Sequence, residues 1–139
     1  MNNVESTTGR WGLWKIGMVA SVASAVGNLL LMVVTGPLFE VPDDFGPLTI
    51  PPIILWSVIG ALGAIGVYAL VRKFSSDPHK SFMIIAVVVL FVSFVPDILL
   101  INVTEGIFSG AGWGAIIVLM IMHVISFAIV VPMLRKLVH

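Results

Sequence analysis

The distribution of charge along the chain is the feature that most limits how it can fold. Four long stretches are apolar, and Asp97 is the one charged residue within them. They are Gly17–Thr35, Ile53–Val71, Phe82–Ile101 and Ala115–Leu134. A helix that crosses the hydrocarbon core of a bilayer needs about 20 mostly apolar residues. We therefore predict an all-α integral membrane protein, a single domain over residues 1–139. Its four transmembrane helices are predicted at about 11–36, 51–72, 79–101 and 112–136.

Composition supports this fold class and excludes several functions. Apolar residues make up 59% of the 139-residue chain, and charged residues only 10%, whereas a soluble domain carries about 25% charged residues. The formal net charge is zero, so we expect no nucleic-acid partner. The chain has no cysteine, which excludes disulfides and thiolate chemistry. We expect no cofactor.

Basic residues predict how the helices are oriented. Short connections favour antiparallel neighbours and an up-down-up-down bundle. All seven basic residues then fall at one end of the bundle: Arg10, Lys15, Arg72, Lys73, Lys80, Arg135 and Lys136. Cytoplasmic segments carry the excess of Lys and Arg in membrane proteins. We therefore expect both termini to be cytoplasmic, in a prokaryotic plasma (inner) membrane.

Polar residues inside the predicted spans are the candidate ligand or proton site. At about 1.5 Å of rise per residue, Asn28, Ser93 and His123 each lie roughly 16 Å from the inner end of their helix. Asp97 lies one turn outward from Ser93, and it follows Pro96, which frees a backbone carbonyl. Ionisable groups at such depths are functional candidates. In the alternative interpretation, the outer headgroups solvate Asp97, and His123 is a neutral core residue bonded to Ser or Asn.

Small and polar residues at helical spacing predict the packing faces of the first two helices. The first stripe contains Gly17, Ser21, Ser24, Asn28 and Thr35, and the second contains Ser57, Ala61, Ala64 and Tyr68. Small residues allow membrane helices to approach closely. The stripes therefore predict helix packing, with a polar-lined cavity as the alternative.

The loop after the first helix is a second candidate site. Three acidic residues, Glu40, Asp43 and Asp44, lie there among aromatic residues and prolines. They could bind a cation at the outer surface or form a solvated cap. Their spacing lacks the regular pattern of oxygen ligands of a calcium loop. Asp97 and His123 alone do not make a ligand set, so we predict no metal site.

Several segments together carry a resemblance to a known family. They are the proline-punctuated first loop, Gly60–Ala64, the connection from Arg72 to Pro78, Ser93–Asp97, Met122–Ile125 and Val131–Pro132. With these segments, the chain resembles an uncharacterised family of small bacterial four-helix membrane proteins, known as a domain of unknown function. The resemblance covers essentially the whole chain. It implies the fold but no activity, substrate or catalytic residue.

Three functions fit these observations. The first is a non-enzymatic membrane protein, acting as a scaffold, an accessory subunit or a homo-oligomer, with membrane lipid and possible larger membrane complexes as partners. The second is a lipophilic-ligand or proton-coupled binding or transport protein that uses Asn28, Ser93, Asp97 and His123. The third is an intramembrane enzyme acting on a lipid or isoprenoid. The sequence favours the first, and we assign no catalytic residue.

Overall fold

The four predicted helices are present in the computed structural model of the protein. The structure describes residues 3–136, with side chains from Gly12 onward; residues 1–2 and 137–139 of the predicted domain lie outside this range. The elements are α1 (Asn3–Leu38), α2 (Ile50–Phe74), α3 (Pro78–Leu99) and α4 (Trp113–Arg135), with short 3-10 turns at Gly46–Leu48 and Leu100–Asn102. Helix α1 therefore begins before the predicted residue 11. Each helix is long and apolar enough to cross a membrane, which confirms the predicted fold class.

Contacts between helices show that neighbours run antiparallel. Asn28 of α1 bonds to Ser57 of α2, and Gly17 of α1 lies against Ile65 of α2. The earlier residue of α1 thus meets the later residue of α2, so the two helices are antiparallel. Helix α1 packs on both α2 and α4, whereas α3 makes its larger contact with α4 and a smaller one with α2. The result is the predicted up-down-up-down bundle, in which α3 is the least covered helix. Within α3, only Phe82 and Asp97 are buried.

Two apolar clusters hold the ends of the bundle together. At the end nearer the chain termini, Tyr68 and Phe82 pack edge to face with ring centroids 5.1 Å apart, and both belong to a cluster with α4. Since lipid tails are as apolar as these side chains, the contacts stabilise the fold through van der Waals packing rather than by exclusion from water.

The connection between α1 and α2 closes the opposite end. Phe45 and Leu48 are each 1% exposed, and they pack against residues at the start of α4, including Ile116. Gly46 donates its backbone N–H to the carbonyl oxygen of Ile107 at 3.0 Å. The first and third connections are therefore joined to each other above the bundle.

The start of α3 follows from local sequence. Asp77 accepts a hydrogen bond from the backbone N–H of Lys80 at 3.1 Å, which satisfies one of the free donors at the helix end. Pro78 occupies the first turn, where a missing N–H costs nothing. These two residues define where α3 begins, and Asp97 lies five turns later on the face that contacts α4.

Candidate functional site

Asp97 and His123 meet at the contact between α3 and α4. Oδ2 of Asp97 lies 3.0 Å from Nδ1 of His123. Asp97 is only 7% exposed, so it is buried against α4 rather than solvated at the surface of the bundle. The structure thus brings together the two ionisable side chains that the sequence placed within the spans.

Two oxygen atoms lie close to Nδ1 of His123. Nδ1 of His123 also lies 2.9 Å from the carbonyl oxygen of Leu119, one turn earlier in α4. A carbonyl oxygen only accepts, so this contact is a hydrogen bond in the tautomer that carries a proton on Nδ1. Oδ2 of Asp97 receives no aligned hydrogen bond, although its distance from Nδ1 is that of an ion pair. Nδ1 therefore has two oxygen atoms within reach, the carbonyl oxygen of Leu119 and Oδ2 of Asp97.

The imidazole remains accessible from outside the bundle. The side chain of His123 is 38% exposed, against 10% for Asp97. Phe94 of α3 covers one side of the ring in an edge-to-face contact, with centroids 6.3 Å apart. In the tautomer that carries a proton on Nδ1, Nε2 is the ring nitrogen available to a second proton. The arrangement can therefore hold a proton on Nε2 or on Oδ2 of Asp97.

A second group of polar side chains joins α1, α2 and α4. Nδ2 of Asn28 donates to Oγ of Ser57 at 2.9 Å and to Oγ of Ser126 at 3.0 Å. Oγ of Ser126 also lies 2.8 Å from Oγ of Ser24. We call Ser24, Asn28, Ser57 and Ser126 the polar cluster. It is a separate place from the Asp97–His123 pair, because it lies between α4 and α1 rather than between α4 and α3.

The other predicted site residues lie apart from both groups. Oγ of Ser93 donates to the carbonyl oxygen of Leu90 within its own helix, at 2.6 Å. Glu40, Asp43 and Asp44 are exposed on the first connection, and the backbone of Glu40 has a φ of +52°. Within the described part of the chain, no group of three or more His, Cys, Asp or Glu side chains is arranged to hold a metal ion.

Sequence reasoning included Ser24 and Ser57 in packing stripes but did not assign them to the site. Ser126 was also outside the candidate set, although it lies three residues after His123. Its position on α4 was the available signal, since a serine one turn from a midplane histidine lies at the depth of Asn28. What the spacing did not indicate is that Ser126 faces α1 while His123 faces α3.

Comparison with known families places the whole bundle in one group. The model of DUF6069, a family of unknown function, matches residues 6–139. The chain belongs to DUF6069. The match extends over all four helices, so the Asp97–His123 pair and the polar cluster both lie within the DUF6069 region. This confirms the resemblance to an uncharacterised membrane-protein family. No curated protein and no solved structure matched this DUF6069 chain significantly.

Proposed function

We propose that this multi-pass membrane protein is a proton-coupled binding protein, with Asp97 and His123 as its proton-binding pair. The observation that carries the proposal is the 3.0 Å contact between Nδ1 of His123 and Oδ2 of a buried Asp97. Intramembrane Asp and His side chains that pair with each other are typical of proton relays. The contact also favours a proton pair over the alternative of two unrelated, solvated or core residues.

Binding of a proton changes the net charge of the Asp97–His123 pair inside the membrane. A carboxylate that is buried without a hydrogen-bond donor is costly when it is charged. Beside the imidazole of His123, the pair is neutral overall either as carboxylic acid and imidazole or as carboxylate and imidazolium. One further proton gives the pair a net positive charge in a medium of low dielectric constant. Proton binding therefore changes how strongly α3 is attached to α4.

We also propose that the protein lies in a prokaryotic plasma membrane with both termini in the cytoplasm. Among the described side chains, the basic ones lie at the end of the bundle nearer the termini. Around the start of α3 and the end of α4, His79 lies beside Pro132, Arg135 and Lys136. The acidic residues of the first connection lie at the other end. This distribution supports the orientation through the preference of Lys and Arg for the cytoplasmic side.

Nuclear magnetic resonance of ¹⁵N-histidine-labelled protein in lipid nanodiscs tests the proton pair. The chain has three histidines, and the signals of His123 are assigned by their loss in His123→Gln. We expect the ring nitrogens of His123 to titrate. We also expect Asp97→Asn to move the midpoint of that titration, because the neighbouring charge has been removed.

Glu105→Gln is the matched control, since it removes a carboxylate from an exposed position and should leave the midpoint in place. Asp97→Ser also removes the charge, so it allows the same comparison if Asp97→Asn does not fold. A His123 signal that does not titrate, or a midpoint that is the same in Asp97→Asn and wild type, would overturn the proposal.

A scaffold or homo-oligomer is the second candidate function, and the coverage of α3 favours it. Apolar residues along α3 such as Val88, Val92 and Val95 are more than half exposed, so α3 offers an apolar face to a second copy of the chain. Native mass spectrometry of protein released from nanodiscs tests this candidate. We expect multiples of the 14.9 kDa chain, and the monomer alone would contradict it.

A further inference from the structure

Asn28 has an incomplete set of hydrogen bonds although it is buried. The residue is 4% exposed. Its Nδ2 atom donates to the hydroxyls of Ser57 and Ser126, but its Oδ1 atom is buried and has no hydrogen-bond partner. Leaving such a group unsatisfied destabilises the folded state, because the group has lost its hydrogen bonds to water and gained none. Buried polar atoms in native proteins are otherwise bonded to protein groups or to ordered water.

Rotating the side-chain amide of Asn28 by about 180° does not supply the missing hydrogen bond. The nitrogen and oxygen of an asparagine side chain are assigned from the surrounding hydrogen bonds. If they were exchanged, Oδ1 would accept from the two serine hydroxyls, and Nδ2 would then occupy the position without a partner. In either orientation one amide atom faces a place where no protein group bonds to it. One amide atom of Asn28 therefore lacks a hydrogen-bond partner whichever way the amide group is oriented.

We propose that the polar cluster binds a buried water molecule next to the amide of Asn28. Water both donates and accepts, so it satisfies the amide in either orientation. It needs two to four polar partners; beside the amide itself, the hydroxyls of the polar cluster are the candidate partners, because those of Ser57 and Ser126 bond to Nδ2 of the same amide. This water links α1, α2 and α4 within the membrane, at a place separate from Asp97 and His123.

The surroundings of Asn28 favour water over an empty space. The groups near it are small or polar, because Ser24 and Ser57 are buried beside it and Ala61 follows one turn later on α2.

Proton-detected solid-state nuclear magnetic resonance in lipid bilayers tests the water site. We expect the side-chain amide of Asn28 to show magnetisation transfer from water. In Ser57→Ala and in Ser126→Ala, one hydroxyl partner is lost, and we expect this signal to weaken or disappear. Ser21→Ala is the matched control, because Ser21 is buried on the same face of α1 but bonds only to the carbonyl oxygen of Gly17 in its own helix. It should leave the signal unchanged.

An Asn28 amide without any water signal in the folded wild-type protein would overturn the proposal, and so would equal signals in wild type and in both partner variants. If Ser57→Ala or Ser126→Ala fails to fold, the wild-type measurement decides alone. The test does not depend on whether His123 titrates, so the failure of this inference is distinct from failure of the proton-pair proposal.

Discussion

Tyr68 is a residue at which removing a polar group should strengthen the fold. It is fully buried, its ring packs against Phe82, and its hydroxyl has no hydrogen-bond partner. Phenylalanine keeps the ring contact and removes the unsatisfied hydroxyl. We therefore expect Tyr68→Phe to raise the free energy of unfolding by about 1 kcal/mol, measured by denaturant unfolding in mixed micelles.

Ser24→Ala gives the comparison of opposite sign. The hydroxyl of Ser24 is bonded to that of Ser126, so its removal costs a hydrogen bond and should lower the free energy of unfolding by about 0.5–1.5 kcal/mol. If Tyr68→Phe destabilised the protein as much as Ser24→Ala does, the Tyr68 hydroxyl would have to be bonded, contrary to the structure.

At the residue scale, the sequence indicated which polar side chains are buried better than it indicated their partners. Asp97 and Ser93 are four residues apart and share a face of α3, and both were candidates. Asp97 reaches His123, whereas Ser93 bonds to the carbonyl of Leu90. A helical serine has this local acceptor always within reach, so its position on the correct face does not determine a contact with another helix.

Between elements, a close backbone approach joins Phe39, the first residue after α1, to the start of α4. A Cβ atom added to Gly114 would collide with the carbonyl oxygen of Phe39, which belongs to the backbone and is not free to rotate away. In Gly114→Ala, the start of α4 therefore has to move away from the first connection. We expect it to lower the free energy of unfolding by about 1–3 kcal/mol, the usual cost of overpacking.

Gly60→Ala is the control for this substitution. A Cβ atom at Gly60 would meet nothing within 4 Å, and alanine favours the helix over glycine, so stability should not fall. Equal losses in Gly114→Ala and Gly60→Ala would show that the effect comes from the helices themselves rather than from the contact with Phe39.

Helical periodicity explains why the buried face of α1 could be predicted from the sequence. The residues of the first stripe, from Gly17 to Thr35, are all buried, because one face of a regular helix is defined by spacing alone. The role of Phe45 and Leu48 was not predicted. They lie in an irregular connection, where no period relates the sequence to a face, and their burial depends on a distant part of the chain, the start of α4.

For the whole molecule, the structure separates the charges more clearly than the sequence order does. The contact of Gly46 with Ile107 places the first and third connections, with their acidic residues, at one end. The start of α3 and the end of α4 meet at the other end, with Arg135 and Lys136. Since Lys and Arg are in excess on the cytoplasmic side of membrane proteins, we expect the bundle to insert in one orientation, with the basic end towards the cytoplasm.

Introduced cysteines test this orientation directly, because the natural chain has none and each variant then carries a single reactive thiol. Asp43 and Ser76 are both exposed, on the first and second connections. In intact cells, a membrane-impermeant maleimide should label Asp43→Cys and leave Ser76→Cys unlabelled until the membrane is permeabilised. Labelling of the denatured proteins controls for thiol reactivity. The reverse pattern would place the termini outside, and labelling of both variants in intact cells would mean that the chain inserts both ways despite its charges.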